Sequence, residues 1–280
     1  MKKCITLSTI LLVLLLTFYG CEAEQKNENH ILRTRGGMVL IPAGKFQMGS
    51  DSDEAMDNER PVHTVYIDAF YIDKHEVTNA QYKKFVDANP QWRKDSISDF
   101  YHNGDYLGLW KENDYPKGKG DHPVVFISWH AAMAYAKWAG KRLPTEAEWE
   151  KAARGGRIAQ KYPWGNSIDV SNANYGGNVN DTTPVGRYPA NDYGVFDMAG
   201  NAKEWCLDKK DNNFYQISPS HNPISGENVM DSTHTKGFRV LRGGSWSSPA
   251  RSSLVFHRFN WAPSGAFSNY GFRCVKVVSP

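Results

Sequence analysis

The C-terminal half of the chain carries the strongest constraint on its fold. From residue 157 to residue 280 no helical period appears, and the sequence is instead rich in Gly, Asn, Asp, Pro and aromatic residues. The 280 residues include 24 Gly, 9 Trp and 14 Tyr. Glycine reaches backbone angles that other residues avoid, and aromatic side chains bury large areas. The pattern predicts a globular but irregular domain with many loops.

Composition excludes several classes of protein. The chain has 33 basic and 30 acidic side chains, for a net charge of +3, and no block of like charge. Such a balance does not indicate nucleic-acid binding, so we expect no nucleic-acid partner. A mean hydropathy of -0.58 with 22% charged residues argues against both a multi-span membrane protein and a disordered chain.

The N-terminus has the pattern of an export signal. Lys2 and Lys3 follow the initial Met, residues 10–16 are apolar, and the small residue Gly20 directly precedes Cys21. This order resembles a bacterial lipoprotein signal over residues 1–20, with Cys21 as the lipidated first residue and residues 21–37 as a polar tether. We therefore expect an exported protein held on the outer surface of the bacterial envelope by a lipid anchor only. Ordinary secretion with an unmodified Cys21 is the alternative.

Short strands and capped helices are predicted in the N-terminal half. Two short strands are expected at 38–42 and 45–49, around a turn, and residues 63–67 and 70–72 continue the β character. Three helices follow. They begin near Thr78, after Ser128 and after Thr145, and end at Pro90, Gly140 and Gly155. Thr145 and Glu148 form a capping box, in which each side chain bonds the other residue's backbone amide. No break in composition divides residues 38–280, so one α+β domain is predicted.

Several segments together resemble one family. They lie at residues 38–50, 76–82, 122–125, 140–150, 193–205, 242–246 (Arg-Gly-Gly-Ser-Trp) and 271–273 (Gly-Phe-Arg). On these segments the chain resembles the formylglycine-generating-enzyme (sulfatase-modifying-factor) family over residues 38–276. The resemblance implies a C-type-lectin-like fold with little regular secondary structure. It also implies that the C-terminal segment presents the binding or active face.

The resemblance implies a copper-bound cysteine pair in the oxidase members, between the two C-terminal motifs. Here that stretch, residues 247–270, contains no cysteine, and His257 is its only candidate soft or borderline ligand. We therefore expect no copper and no enzymatic activity. Cys206 and Cys274 remain in the folded part, and either a disulfide or two buried free thiols is open.

Residues 247–270 mix Ser and Asn with aromatic residues, a composition suited to adaptable binding surfaces. Packing of these aromatics into the core is the alternative. The segment also resembles the variable proteins of diversity-generating retroelements, the treponemal ones above all, which use this fold and diversify this segment. The candidate contact residues are Ser247, Ser248, Ser252, Leu254, Phe256, His257, Phe259, Asn260, Trp261, Ser264, Phe267, Ser268 and Asn269.

A calcium site is implied by the resemblance around a glycine turn. Its ligands would be the side chains of Asp197 and Glu204 and the carbonyl oxygens of Gly200 and Ala202. Carboxylates with backbone oxygens are the donors that hard cations prefer. A helix cap and a surface Glu are the alternative, and the expected role of the ion is structural.

The sequence therefore predicts a non-catalytic, surface-displayed lipoprotein, monomeric, that binds an unknown macromolecular or cell-surface ligand through a variable segment at 247–270. A structural lipoprotein of the envelope or of a motility machine is one alternative. A sulfatase-modifying-type oxidase with altered chemistry is another, although no motif places a nucleophile beside a base.

Overall fold

The computed structural model describes residues 34–278 except residue 228 and residues 232–235. The export signal, Cys21 and most of the tether lie outside the described residues, and these expectations remain predictions. Within the described ranges, no helix has both the length and the apolar character needed to cross a bilayer.

Antiparallel strands form at the predicted segments of the N-terminal half, but the strands at 38–42 and 45–49 do not pair with each other. One sheet has the order β1-β2-β5-β10, and a separate hairpin pairs β3 with β4. The strands are β1 (Thr34–Arg35), β2 (Met38–Ile41), β3 (Gly44–Met48), β4 (His63–Ile67), β5 (Phe70–Asp73) and β10 (Val275–Val277). Because β10 pairs with β5, the two ends of the described chain close one sheet.

The three predicted helices and their caps are confirmed. They are α1 (Asn79–Ala88), α2 (Trp129–Trp138) and α3 (Glu146–Arg154), with a short α4 (Phe214–Ile217) later. The hydroxyls of Thr78, Ser128 and Thr145 each accept a hydrogen bond from the backbone N–H three residues on. Turns of 3-10 helix lie at Asp57–Glu59, Pro90–Trp92, Asp99–Tyr101 and Ala250–Ser253.

A second four-stranded sheet organises the C-terminal half, and the sequence did not predict it. Its order is β8-β7-β6-β9, and β9 runs parallel to β6. The strands are β6 (Lys203–Lys209), β7 (Arg239–Arg242), β8 (Phe259–Trp261) and β9 (Tyr270–Gly271). The hydropathy pattern does not reveal these strands because they contain charged residues. The residues of β6 up to Asp208 and all of β7 are nevertheless buried.

Fully buried tryptophans fix β6 within the core. Trp149 of α3 donates its indole N–H to the Glu204 carboxylate at 2.8 Å, and Trp129 of α2 donates to the Cys206 carbonyl at 2.9 Å. The Trp205 indole donates to the Ile127 carbonyl at 2.8 Å. Buried indoles need such acceptors. The start of β6 is therefore held in one position, which matters because Lys203 begins this strand.

Candidate functional site

Residues 245–248 and 259–270 form a surface that we call the C-terminal face. It lies at the end of the β8-β7-β6-β9 sheet, where the loop after β7 meets the loop before β9. Gly243 and Gly244, which lead into this loop, have φ angles of +91° and +71°. A Cβ on Gly244 would lie 2.6 Å from the Ser253 hydroxyl oxygen. Glycine is therefore required for the loop to turn and pack this closely.

A buried lysine lies directly beneath this face. The Lys203 amine donates hydrogen bonds to the hydroxyls of Ser248 at 2.6 Å and Ser245 at 3.3 Å. It also lies 5.1 Å from the centre of the Phe259 ring and 5.9 Å from that of Tyr270. Lys203 is 7% exposed and Ser248 4% exposed. Burial disfavours the charged form and lowers the pKa of Lys203 to about 8.

Polar side chains continue from this pair to the surface. The hydroxyl oxygens of Ser245 and Ser248 lie 2.7 Å apart. The Asn269 amide donates to Ser247 at 3.0 Å and to Ser245 at 3.2 Å. Ser247 is exposed and Asn269 half-buried. The Lys203–Ser248 pair is thus connected to solvent by hydrogen-bonding groups.

Aromatic rings lie beside the Lys203 side chain and the two serines to which it donates. Phe259 and Trp261 stack at 6.3 Å, Trp261 meets Phe267 edge-on at 5.3 Å, and Phe267 meets Tyr270 at 4.9 Å. Trp261 is 42% exposed. Rigid rings beside polar donors provide contact area for a substrate at low entropic cost.

The structure divides the predicted contact residues into two groups. Exposed or half-buried positions are Ser247, Ser252, Phe259, Asn260, Trp261, Ser264, Phe267, Ser268 and Asn269. The buried positions are Ser248, Leu254, Phe256 and His257. Leu254 and Phe256 belong to the core cluster around Trp149. These two side chains are therefore core residues and do not face an outside ligand, so the alternative of inward packing holds for this part of the segment.

His257 has a partner inside the protein. Its Nδ1 lies 2.8 Å from a carboxylate oxygen of Glu59 and 2.8 Å from the Arg251 guanidinium. Burial lowers the pKa of His257, although the Glu59 carboxylate opposes the shift. His257 therefore connects residues 247–270 to the turn at Asp57–Glu59 and does not face a ligand.

The two side chains among the predicted calcium ligands accept hydrogen bonds within the protein. The Glu204 carboxylate accepts two hydrogen bonds from Arg273, at 2.6 and 2.7 Å, and a third from Trp149. One Asp197 oxygen accepts the Gly186 N–H at 2.6 Å, and burial raises the pKa of Asp197 to about 6. Among the described residues, no group of three or more His, Cys, Asp or Glu side chains is placed to hold a metal. The side chains of Asp197 and Glu204 thus have protein partners, and a calcium site at Asp197, Gly200, Ala202 and Glu204 stays a prediction.

Two buried side-chain oxygens near Asn201 accept no hydrogen bond from the described residues. Glu76 Oε2 and Asn174 Oδ1 are buried and have no hydrogen-bond partner in the described ranges. Asn201 bonds the other Glu76 oxygen at 2.9 Å and lies 3.4 Å from the Asn174 amide. The burial of Glu76 beside Asp197 raises its pKa well above the usual value. The Glu204 carboxylate also raises the pKa of both Glu76 and Asp197, so the three acidic groups influence one another.

Cys206 and Cys274 are both free thiols and both buried. Cys206 packs in the core cluster around Trp149, whereas Cys274 packs in the cluster around Trp129. Burial raises the pKa of each thiol well above its usual value. Of the two options that the sequence left open, the structure has the buried free thiols.

Sequence reasoning missed Lys203 and Ser245. It found no nucleophile beside a base, yet the fold brings Lys203 to Ser248 across 45 positions of sequence. The sequence shows only a lysine at the centre of Asn-Ala-Lys-Glu-Trp, and nothing in that motif indicates that the lysine is buried. Only the parallel pairing of β6 with β9 shows that this lysine lies under the C-terminal face.

Comparisons with known proteins agree with the fold. Among relatives, "Serine/threonine-protein kinase pkn1" of Chlamydia caviae is 41% identical over 86% of this chain but only 38% of its own length. The "Formylglycine-generating enzyme" of Streptomyces coelicolor is 35% identical over 86% of this chain and 90% of its own length. The chain thus spans about two fifths of the length of the kinase-named relatives.

Two solved structures share the architecture. PvdO from Pseudomonas aeruginosa is 28% identical, with a TM-score of 0.68 over 85% of this chain and 93% of PvdO. Treponema denticola variable protein 1 is 26% identical, with a TM-score of 0.60 over 85% of this chain and 94% of that chain.

The three sheets, the capped helices and the glycine loop under the C-terminal face define a C-type-lectin-like domain of the formylglycine-generating type. The chain belongs to the family described as the sulfatase-modifying factor enzyme 1-like domain, whose model matches residues 23–278.

The comparisons overturn two predictions. The function predicted from the Ser- and aromatic-rich segment, a surface-displayed variable protein of a retroelement, is wrong, because the relatives carry kinase and formylglycine-generating-enzyme names and PvdO is a neighbour. That composition occurs on a fold shared by many functions and does not identify one of them. The prediction that the chain is not an enzyme is also wrong, since its relatives suggest an enzymatic family. The family also includes a Bos taurus relative named inactive, 34% identical over 85% of this chain and 87% of its own length.

Proposed function

We propose that this chain is an enzyme of the sulfatase-modifying type with altered chemistry, in which Lys203 and Ser248 supply the reactive groups. The observation that carries the proposal is the 2.6 Å contact between a desolvated amine and a buried hydroxyl. A lysine in apolar surroundings is a known activator of serine nucleophiles. The substrate class that we propose is a polypeptide, which the family description as a sulfatase-modifying factor supports.

A minority of the molecules has the protonation state that such chemistry requires near neutral pH. With a pKa of about 8, roughly a quarter of Lys203 is neutral at pH 7.5. The neutral amine takes the Ser248 hydroxyl proton as Oγ attacks a carbonyl carbon of the substrate. The proton then passes to the departing nitrogen as the carbon–nitrogen bond breaks. Water attacks the resulting ester in the reverse sense, with Lys203 again as base, and releases the acid.

The C-terminal face provides the contacts for such a substrate. Ser247 and Asn269 offer hydrogen bonds beside the pair, and Trp261 and Phe267 offer ring surfaces. An extended polypeptide presents backbone N–H and C=O groups to the first two and side chains to the rings. The site therefore combines a reactive centre with a surface for peptide binding.

A fluorophosphonate probe tests the proposal without a known substrate. We expect the Ser248 oxygen to displace fluoride and form a bond to phosphorus, which intact-mass and peptide mass spectrometry detect. The labelling rate should rise with pH around a midpoint near 8. Lys203→Met and Lys203→Arg should each reduce it at least about a hundredfold, because neither side chain is a neutral base near pH 8.

Ser218→Ala is the matched control, since Ser218 is a half-buried serine outside the C-terminal face. Its labelling should equal that of the original chain. Labelling that is absent at Ser248, or unchanged in both Lys203 variants when circular dichroism shows them folded, contradicts the proposal.

A further inference from the structure

A cavity of about 250 Å³ lies between the β3–β4 hairpin and the C-terminal end of α3. Four of its lining residues are cations, namely Lys45, Lys151, Arg154 and Arg157, and none of the lining residues is acidic. No residue of the C-terminal face takes part in it. The cavity is therefore a second site, and all of the charged residues that line it are basic.

Two of these cations already have acidic partners. Arg154 pairs with Glu150 at 2.7 Å and Arg157 with Asp192 at 2.7 Å. Lys45 and Lys151 form no ion pair with any described residue. The Asp68 carboxylate acts on Lys151 electrostatically and accepts a hydrogen bond from the Asn222 amide at 2.7 Å. The net positive charge of the cavity thus comes from the two lysines.

Lys151 is the buried one of these two lysines, and one of its three N–H groups makes no hydrogen bond with the described residues. It is 4% exposed. Its ammonium donates to the Gly44 carbonyl at 2.8 Å and the Ile67 carbonyl at 3.3 Å, which leaves the third N–H free. Burial lowers its pKa to about 8, so the charge is held at a cost that an anion would relieve.

The open side of the cavity offers further donors. Thr64 accepts a hydrogen bond from the Gln47 amide at 2.9 Å, so its own hydroxyl proton remains available. Lys45, Gln47 and Thr64 are all exposed. A ligand from solvent can therefore reach the buried ammonium between these side chains.

We propose that this cavity binds a tetrahedral oxyanion, a phosphate or sulfate group, either free or carried on a larger ligand. Lys151 and Lys45 would neutralise its charge, and Thr64 would donate to a third oxygen. A tetrahedral group offers acceptors in several directions, which suits donors that converge from the hairpin and the helix. The inference does not depend on the proposed function.

Calorimetric titration of the full chain with inorganic phosphate tests the site. We expect saturable binding, with sulfate competing and acetate not. Lys45→Ala and Thr64→Val, both at exposed positions, should weaken binding about tenfold and about threefold, which correspond to loss of one charge-assisted and one neutral hydrogen bond. Lys276→Ala, at an exposed lysine of β10, is the control and should leave binding unchanged.

A second readout reports on the buried lysine. At pH 8.5, phosphate should bind with net proton uptake, because the anion favours the charged form of Lys151; calorimetry in two buffers of different ionisation enthalpy measures this. Lys151→Met should abolish the proton uptake if this variant folds. If it does not fold, the weaker phosphate binding expected of Lys45→Ala still tests the proposal. No binding, equal binding of acetate, or equal weakening by Lys276→Ala overturns the proposal, the last because it indicates general charge attraction.

Discussion

Gly200 shows how a single residue determines whether two loops can meet. Its φ is +85°, and a Cβ placed there would lie 2.2 Å from the carbonyl oxygen of Asn174. The Gly200 N–H donates to the Gly243 carbonyl at 2.7 Å, and the Asn201 N–H donates to the Asn174 carbonyl at 2.8 Å. The glycine therefore joins the loop before β6 to the loop after β7 and supports the C-terminal face from behind.

Gly200→Ala should destabilise the protein strongly. The methyl group would overlap a backbone atom that cannot rotate away, so we expect a loss of about 4 kcal/mol or failure to fold. Gly194→Ala is the matched control, because Gly194 has a φ of +81° but nothing within 4 Å of its Cβ position. It should lose only about 1–2 kcal/mol from backbone strain. Urea unfolding measures both, and equal losses would show that strain alone explains Gly200.

The Lys203–Ser248 pair marks the limit of what the sequence could predict at the residue scale. The glycine motifs and the absence of cysteine in residues 247–270 could be read directly. Lys203 could not be recognised, because its apolar neighbours Phe259 and Tyr270 come from segments more than fifty residues away. Desolvation is a property of the folded surroundings, and a local pattern does not contain it.

Among the elements, α3 follows its sequence most closely. Thr145 accepts the Glu148 N–H at 3.1 Å, and the Glu148 carboxylate accepts the Thr145 N–H at 2.8 Å. The helix ends at Gly155, whose φ is +60°. These are local interactions, so the caps and the helix bounds were predictable. The β8-β7-β6-β9 sheet was not, because the buried charges Glu204, Arg239 and Arg242 break the alternation that would reveal its strands.

Thr145→Ala should destabilise the protein by about 1 kcal/mol. The substitution leaves the Glu148 N–H without its acceptor at the start of α3. Thr145→Ser retains the hydroxyl and should lose only a few tenths of a kcal/mol. Chemical unfolding of both variants measures the difference. Equal destabilisation would assign the role of Thr145 to its methyl group instead of its cap.

Across the whole molecule, a buried ion network joins elements that are distant in sequence. Glu146 of α3 accepts from Arg242 of β7 at 2.6 Å and from Arg258 at 2.7 and 2.8 Å. Glu150 accepts from Arg242 at 2.7 Å and from Arg154 at 2.7 Å. All these side chains are at least nine-tenths buried. The network places α3 directly behind the loop that carries the C-terminal face.

This network makes stability depend on acid pH. Burial alone would raise the pKa of Glu146, but the Arg258 and Arg242 guanidiniums outweigh burial and lower it to about 2. A carboxylate with a depressed pKa in the folded state stabilises fully above its unfolded pKa, near 4.5. That contribution, about 3 kcal/mol, is lost as the pH falls from about 4.5 to about 2.

The unfolding free energy, measured in urea at pH 5, 4 and 3, should therefore decline progressively with acidification. Glu146→Gln should be less stable at pH 5 by about 3 kcal/mol or more, since it leaves two buried arginines without that carboxylate. Its stability should also fall less steeply below pH 4.5, because the titrating group is gone. Glu112→Gln removes an exposed carboxyl and should retain the original slope. A slope that is the same in Glu146→Gln and the original chain would show that other carboxylates, such as Glu59, control the acid limit of the fold.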